Sequence, residues 1–259
     1  MTVIAQTPFF SIITAAYNSA VTIEECILSL LDQHFTDFEF IVVDGLSSDN
    51  TIDIVAALAE KFREKQISFK YISEKDNGIY DAWNKGIRLS RGQWIAFLGS
   101  DDAYTDGALK QYFDHIAKAG TDCNYISSKV VLVNDKDEAL QVVGKPFVWK
   151  NLVRNMDIAQ VGSFHHKTLF EKVGLFNDAY KIVGDLEFYI RCKDHIRPAY
   201  FDAVTAKMRN GGVSNQIYKA LHEALRVKLA MKSTPKLVSY YDFYLSLLKS
   251  YIKVLIKKK

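Results

Sequence analysis

An α/β fold whose central sheet begins parallel and continues mixed is what this sequence predicts, and three observations predict it. Over the first hundred residues, β-branched or aromatic runs alternate with helix-period segments in the order β-α-β-α-β-α-β, the signature of successive βαβ units. Acidic and amide residues gather where each of those strands ends, and in an open parallel sheet the carboxyl ends share one crevice. The chain has 259 residues, 49% apolar and 24% charged, enough for one large core plus a small appendage.

Taking the elements in order, Phe9 to Ala16 reads as the first strand, followed by a helix over Ala20 to Gln33 with Ile23, Ile27, Leu30 and Leu31 on its inner stripe. Phe38 to Asp44 is the second strand; a turn rich in capping residues then leads to a helix from Thr51 to Lys65. Ser68 to Ser73 and Trp94 to Leu98 are strands separated by a helix over Ile79 to Ser90. A helix near Gly107 to Ala119 precedes Asn124 to Val133, and Asn134 to Glu138 reads as the turn before a returning strand at Ala139 to Val143. From Trp149 the segments shorten and Gly162, Gly174, Gly184 and Gly211-Gly212 punctuate loops, so this half should add mixed strands and the crevice's second wall.

The net charge of +3 is a cancellation. From Lys219 onward ten Lys/Arg face only Glu223 and Asp242, leaving 23 basic against 28 acidic residues before them. An acidic body joined to a basic end suggests two jobs, the basic end meeting something anionic. Cys26, Cys123 and Cys192 lack CxxC or zinc spacing and read as reduced, mostly buried thiols. The opening Met-Thr-Val-Ile-Ala-Gln lacks the features of a signal peptide, so export is not expected. No GxGxxG follows the first strand and no GxxxxGK[ST] occurs, which argues against a dinucleotide dehydrogenase and a P-loop NTPase.

The strand-end residues are Tyr17 and Asn18, Asp44, Glu74 and Asp76, and the pair Asp101-Asp102. A nucleotide-bound Mg²⁺ or Mn²⁺ takes one or two protein carboxylates. Adjacent aspartates can divide that work, one facing the metal and the other a ribose hydroxyl; their bland reading is a helix-capping turn. Asp44 suits either a turn or a nucleobase N–H. Asp185, near the start of a helix, is an N-cap or a general base for an attacking hydroxyl. His165-His166 read as loop residues, for packing or surface before metal or phosphate. Arg209, at the head of the loop Arg209 to Ser214, suits a diphosphate or a plain turn.

Five stretches taken together resemble the family 2 glycosyltransferases of the GT-A fold: Ser11 to Asn18, Ile41 to Thr51, Ser73 to Gly86, Gly92 to Asp102 and Lys181 to Arg191. They fall in the family's order and cover about the first 215 residues. The resemblance implies a GT-A domain over 1–215, with 216–259 as a helical, basic, amphipathic extension. It implies inverting transfer from a nucleotide-sugar, usually a UDP-hexose or UDP-N-acetylhexosamine, with Mn²⁺ or Mg²⁺ supporting the leaving diphosphate. Carried over, Asp44 would read the uracil, Ala15 and Tyr17 would line the base pocket, and Asp76 would sit beside the nucleotide. Asp101 would approach the ribose or sugar, Asp102 would bind the metal, and Asp185 would be the base, with Glu187 as fallback. The chain departs from many relatives at Gly99, where they carry Asp or Asn, and at Gly184, where an acidic residue often precedes the base. The Gly162 to Phe170 run and the Gly-Gly-Val-Ser loop look like the bacterial polysaccharide and lipopolysaccharide branch.

In the C-terminal extension, Leu237, Tyr241, Tyr244, Leu248, Tyr251 and Leu255 recur at spacings of four and three. Ser239, Asp242, Ser246, Lys249, Ser250, Lys253 and Lys257 fall on the other side. Charges interrupt the helix too often for a transmembrane span. It is expected to lie on the inner face of the cell membrane, aromatics at headgroup level and Lys257-Lys258-Lys259 on anionic lipid, placing the enzyme in the cytoplasm as a peripheral protein beside a lipid-linked acceptor. Docking on the protein's own core or in a homodimer is the alternative. A nucleic-acid partner is not expected. The competing functions are a metal-dependent nucleotidyltransferase and a non-catalytic sugar-nucleotide-binding scaffold.

Overall fold

The computed structural model describes residues 7–211 and 216–257, with side chains to 252. The opening hexapeptide, Gly212-Val213-Ser214 of the loop, Lys258 and Lys259 lie outside the described residues, as do the side chains of Lys253, Leu255 and Lys257.

Four parallel strands form the first half: β1 (Phe10–Ala16), β2 (Phe38–Asp44), β3 (Ser68–Ser73) and β4 (Trp94–Phe97). Helices α1 (Ile23–Leu31), α2 (Thr51–Glu64) and α3 (Ile79–Leu89) connect them. There follow β5 (Ala103–Tyr104), α4 (Ala108–Ala119), β6 (Tyr125–Val133), β7 (Ala139–Val143), α5 (Trp149–Asn155), β8 (Ser163–His166), α6 (Lys167–Val173), α7 (Gly184–Arg191) and β9 (Pro198–Arg209). The C-terminal pair is α8 (Ile217–Ala230) and α9 (Lys236–Lys257). Strand order in the sheet is β3-β2-β1-β4-β8-β6-β9-β5, with β7 paired to β6. β8 runs antiparallel to β4 and to β6, so the sheet is mixed beyond β4, as expected.

Alternation along the strands builds two cores. Phe10, Ile12, Phe40, Val42, Trp94 and Ala96 face α1, α2 and α4. Ile13, Ile41, Val43, Ile95 and Phe97 face α3 and the α5–α7 wall. Such near-continuous apolar strands are what a sheet covered on both faces requires. The strand order turns back at β1, whose neighbours are β2 and β4, and ligands of open α/β sheets bind outside the carboxyl ends at such a point.

The structure differs from the sequence expectation in several places. α1 starts at Ile23 because Ser19 to Thr22 close a turn: the Ser19 N–H donates to Thr51 Oγ1 at 2.8 Å and the Ile23 N–H to the Ser19 carbonyl at 2.9 Å. β5 follows Asp102 directly, drawn out by antiparallel pairing of Ala103 and Tyr104 with Lys207 and Ala206. His165 and His166 lie on strand β8, not in a loop. Arg209 is the last residue of β9, not a loop residue. α8 packs Val227 into a small core with Val153, Tyr180, Leu186 and Ile190, so the C-terminal segment shares apolar packing with the body.

Candidate active site

The rims of β1, β2 and β3 are laced together. Asn18, with φ of 49°, gives its N–H to Ser47 Oγ at 2.8 Å, and its own Oδ1 receives the Ser48 N–H at 2.9 Å. Asn is among the residues that enter this left-handed region most readily. Asp44 is fully buried and its carboxylate accepts the Ser47 N–H at 3.0 Å, the Ser47 hydroxyl, and the Ser73 hydroxyl at 2.6 Å. A carboxylate has about four lone-pair sites, so it keeps one. Gly45 lies between Asp76 and Tyr17: a Cβ there would meet Asp76 Oδ2 at 2.5 Å and the Tyr17 ring at 3.4 Å. Tyr17 is 66% exposed, and Ala15 is partly buried near the end of β1. Asp76 also accepts the Gly78 N–H at 2.8 Å, at the start of α3. The structure thus brings Tyr17, Asp76 and the Asp44-Gly45 strand end together.

Beside them, Asp101 and Asp102 follow β4 and are tied to the β1 rim through Ser100 Oγ and Ser19 Oγ, 2.8 Å apart. Asp102 is 6% exposed; its Oδ1 accepts the Arg209 backbone N–H at 2.9 Å. A Cβ on Gly99 would fall under 3.0 Å from both Asp102 Oδ2 and Asp101 Oδ1. The two carboxylates therefore crowd one small volume that only glycine leaves open. Burial, and then the Asp101 charge, push the Asp102 carboxyl up to about 7, and burial raises Asp101 as well. A buried carboxylate paired with a half-buried one at that cost is a donor set that fits a hard divalent cation, phosphates and water completing its shell. Among the described residues no cluster of three or more His, Cys, Asp or Glu could hold a metal by itself. The Arg209 guanidinium is occupied elsewhere, with Glu25 at 2.6 Å and Asp137 at 3.1 Å. Arg209 meets the pair through its main-chain N–H, donated to Asp102, and through its Nε–H, 3.4 Å from the Asp101 carbonyl.

Asp185 is the second residue of α7 rather than its N-cap. Its Oδ1 accepts the Leu186 N–H at 2.8 Å and lies 3.3 Å from the Tyr80 hydroxyl, which also reaches the Ile182 carbonyl at 2.8 Å. Burial raises its carboxyl to about 6, with the Glu223 charge a smaller push in the same direction. Gly184 is explained by the same ring, because a Cβ there would stand 2.8 Å from Tyr80 Cδ2 and Cε2. Glu187 is not available as a fallback: both its oxygens are engaged by Arg191, at 2.9 to 3.1 Å.

Two residues near Asp185 carried no role at the sequence level. Tyr80 sits inside the Ser73 to Gly86 stretch, so its position was visible but its task was not. Glu223, on α8, accepts the N–H groups of Lys181, Ile182 and Val183 at 2.9, 2.7 and 2.9 Å. Nothing local marks that contact, which spans about forty residues. His165 is a packing residue: its Nε2 lies 2.9 Å from the Tyr189 hydroxyl, and burial pushes its imidazole down to about 3, so it stays neutral. His166 caps α6, accepting the Thr168 N–H.

This geometry defines an α/β protein of the GT-A class, with a strand-end crevice and a separate carboxylate on the facing wall. The chain belongs to glycosyl transferase family 2, whose model matches residues 11–168. It is 31% identical over 214 residues to a PGL/p-HBAD biosynthesis glycosyltransferase of Mycobacterium bovis (strain BCG / Pasteur 1173P2), covering 81% of this chain and 80% of that one. Among solved structures it resembles S. aureus TarS 1-349 in complex with UDP-GlcNAc, with a TM-score of 0.66, 20% identity, and 92% of this chain and 71% of that chain covered. It also resembles the mannosyltransferase PcManGT from Pyrobaculum calidifontis in complex with GDP-Man and Mn²⁺, with a TM-score of 0.68, 16% identity, and coverage of 93% and 70%. Against a longer TarS chain it spans 42% of that chain.

Proposed function

We propose that this protein is an inverting glycosyltransferase that moves a hexose or N-acetylhexosamine from a UDP-sugar to a hydroxyl of a lipid-linked glycan in bacterial surface polysaccharide synthesis. One observation carries the reading. The segment holding Asp76 is bonded to the segment holding Asp185 at two points, Lys181 Nζ to the Asn77 carbonyl at 2.5 Å and the Tyr80 hydroxyl to Asp185. A base is thereby fixed next to the rim where a nucleotide would lie. The UDP-GlcNAc and GDP-Man complexes of the structural neighbours support a nucleotide-sugar donor.

In this reading Tyr17 and Ala15 hold the base, Asp44 reads the uracil once the Ser47 and Ser73 hydroxyls that cover its buried carboxylate give way, and Asp76 flanks the nucleotide. Asp101 faces the ribose or sugar. Asp102, oriented by the Arg209 N–H, would hold Mn²⁺ or Mg²⁺ with Asp101 beside it, and such a cation would supply positive charge against the departing diphosphate. A diphosphate contact by the Arg209 side chain would require it to leave Glu25 and Asp137. Asp185 takes the proton of the acceptor hydroxyl as that oxygen bonds to the anomeric carbon from the face opposite the breaking carbon–oxygen bond to diphosphate. The electron pair of the broken bond leaves with UDP, and configuration inverts.

Membrane contact through α9 is part of the proposal. The helix turns Ser239 and Asp242 inward, Asp242 bonding Arg154 at 2.8 Å, while Leu237, Tyr241, Tyr244, Leu248 and Tyr251 stay exposed. The apolar stripe is therefore not consumed by the chain's own core, which favours a peripheral site on the inner membrane face over self-docking; a homodimer is the other occupant. No helix among the described residues is long and apolar enough to cross a membrane.

Purified protein with UDP-GlcNAc, Mn²⁺ and a lipid-linked acceptor tests the reading. It expects release of UDP and a lengthened acceptor. Release of N-acetylglucosamine 1-phosphate, by transfer of the uridylyl group, would point instead to a nucleotidyltransferase, and donor binding without turnover to a scaffold.

A further inference from the structure

Outside the crevice, a cavity of about 610 Å³ opens between α8 and the segment that leads into Asp185. Lys181, Lys219 and Arg226 line it together with His222, Ile182 and Glu223. Its one carboxylate, Glu223, accepts three consecutive backbone N–H groups and lies 3.8 Å from Arg226, so a single negative charge faces three cations. Lys181 is held by the carbonyls of Asn77 and Asp178, which leave its charge uncompensated, and Arg226 lies over the Tyr180 ring at 5.0 Å, with Glu223 no closer than 3.8 Å. Among the described residues neither Lys181 nor Lys219 has a carboxylate partner. Three exposed cations around one cavity make a positive concave surface that draws anions.

The cavity touches the base. Ile182 lines it with its own residue and gives its carbonyl to the Tyr80 hydroxyl that also reaches Asp185. Whatever sits there lies beside Asp185, and neither Asp101 nor Asp102 lines the cavity. We propose that this cavity binds a phosphate or diphosphate group of the acceptor, so that the protein selects acceptors whose reacting sugar is close to a phosphoryl linkage. The inference rests on the glycosyltransferase reading for the word acceptor, but the anion site itself does not. Arg226 offers a planar fork to two phosphate oxygens, and Lys181 and Lys219 add point charges.

The full chain in EDTA is titrated with inorganic pyrophosphate by calorimetry, in wild type, Lys219→Gln/Arg226→Gln and Asp102→Asn. Without a divalent cation the Asp101-Asp102 crevice repels the anion. Saturable binding that weakens about tenfold or more in the double variant and persists in Asp102→Asn is the expected result. Equal binding in wild type and double variant overturns the proposal, as does loss of binding in Asp102→Asn. Both substituted side chains are exposed and keep their stems, and circular dichroism checks that the variant folds. A Lys219→Arg variant should bind as wild type. A second arm uses phosphatidylcholine vesicles with and without a long-chain alkyl diphosphate. Diphosphate-dependent flotation lost in the double variant assigns the group to a lipid, whereas pyrophosphate binding without such flotation assigns it to a water-soluble acceptor. Pyrophosphate binding with no UDP release in the transfer assay would refute the enzyme and keep the site.

Discussion

Glu223 receives the Ile182 N–H at 2.7 Å and so ties α8 to the last turn of chain before Asp185. With the Lys181 and Val183 N–H groups it completes a three-donor clamp. Those donors stand just ahead of α7, whose first N–H groups have no partner inside the helix. The clamp does two things to Asp185: it holds its backbone and adds a negative charge nearby. Glu223→Gln should lower kcat about tenfold with the donor KM unchanged, and should move the acid limb of kcat to lower pH because one raising charge is gone. A loss of activity with an unmoved pH profile would make the clamp structural only.

Tyr80 acts on the same carboxylate with the opposite sign. Its hydroxyl favours the charged form of Asp185, so Tyr80→Phe should shift the acid limb upward while reducing kcat. Gly184→Ala pushes a methyl into the Tyr80 ring and should cost about 1–3 kcal/mol, read as a drop in the denaturation midpoint. If Gly184→Ala proved neutral in both stability and rate, the close approach of ring and helix would not matter.

Asp185→Asn separates catalysis from folding. The carboxyl at about 6 binds its proton more tightly than the same group in the unfolded chain. Stability is therefore lost as pH rises from the unfolded value near 4 through about 6, and the charged form at pH 7.5 costs on the order of 2 kcal/mol. The amide carries no such cost. Turnover should vanish while the melting temperature at pH 7.5 stays level or rises, with UDP-sugar binding retained; wild-type kcat should climb between pH 5 and 7 as the base ionises, by about tenfold per pH unit below its pKa. An active Asp185→Asn enzyme would remove the base from that position.

Strands β2, β3 and β7 end at the residues that their composition indicates, Phe38 to Asp44, Ser68 to Ser73 and Ala139 to Val143, because apolar or β-branched runs there are bounded by turn residues. The strand-end carboxylates were readable for a related reason: parallel topology makes distant residues converge without any need for adjacency. What stayed hidden depends on pairing across the chain. β5 is two residues long and exists through its pairing with β9, and His165 looks like a loop residue until β4 and β6 flank it. The Glu223 clamp and the Arg154 to Asp242 bond, 88 residues apart, have no local signature. Periodicity revealed an amphipathic α9, but its contacts with Arg154, Lys228 and His222, all distant in sequence or on another helix, decide which side of it faces the protein.

Gly99→Ala tests the carboxylate pair without touching either carboxylate. The methyl would occupy the volume that Asp101 Oδ1 and Asp102 Oδ2 share, forcing them apart. Transfer should fall at least about tenfold, and the gain in melting temperature given by UDP with Mn²⁺ should shrink, since stabilisation follows ligand affinity by mass action. The gain from UDP in EDTA should not change. Equal metal-dependent gains in both proteins would mean that the cation is held elsewhere.

The inward and outward sides of α9 make a separable prediction. Asp242 is 6% exposed and bonded to Arg154, whereas Leu237 is 86% exposed and Tyr241, Tyr244 and Tyr251 are exposed as well. Removing three exposed rings costs the folded chain little, because they bury little against it. On a bilayer the same rings would sit at headgroup level, with Lys249 on the same helix drawn to anionic lipid. Tyr241→Ser/Tyr244→Ser/Tyr251→Ser should therefore leave the melting temperature within a degree or two, about the scatter expected of surface changes. It should also cut flotation with phosphatidylglycerol vesicles by about tenfold. Wild-type binding should weaken with added salt and the residual binding of the variant more steeply still, since charge is then the main attraction left. A second copy covering the stripe predicts a different pattern: a concentration-dependent dimer by sedimentation that the triple variant abolishes, with no flotation by either protein. That pattern would move α9 from the membrane to a subunit interface.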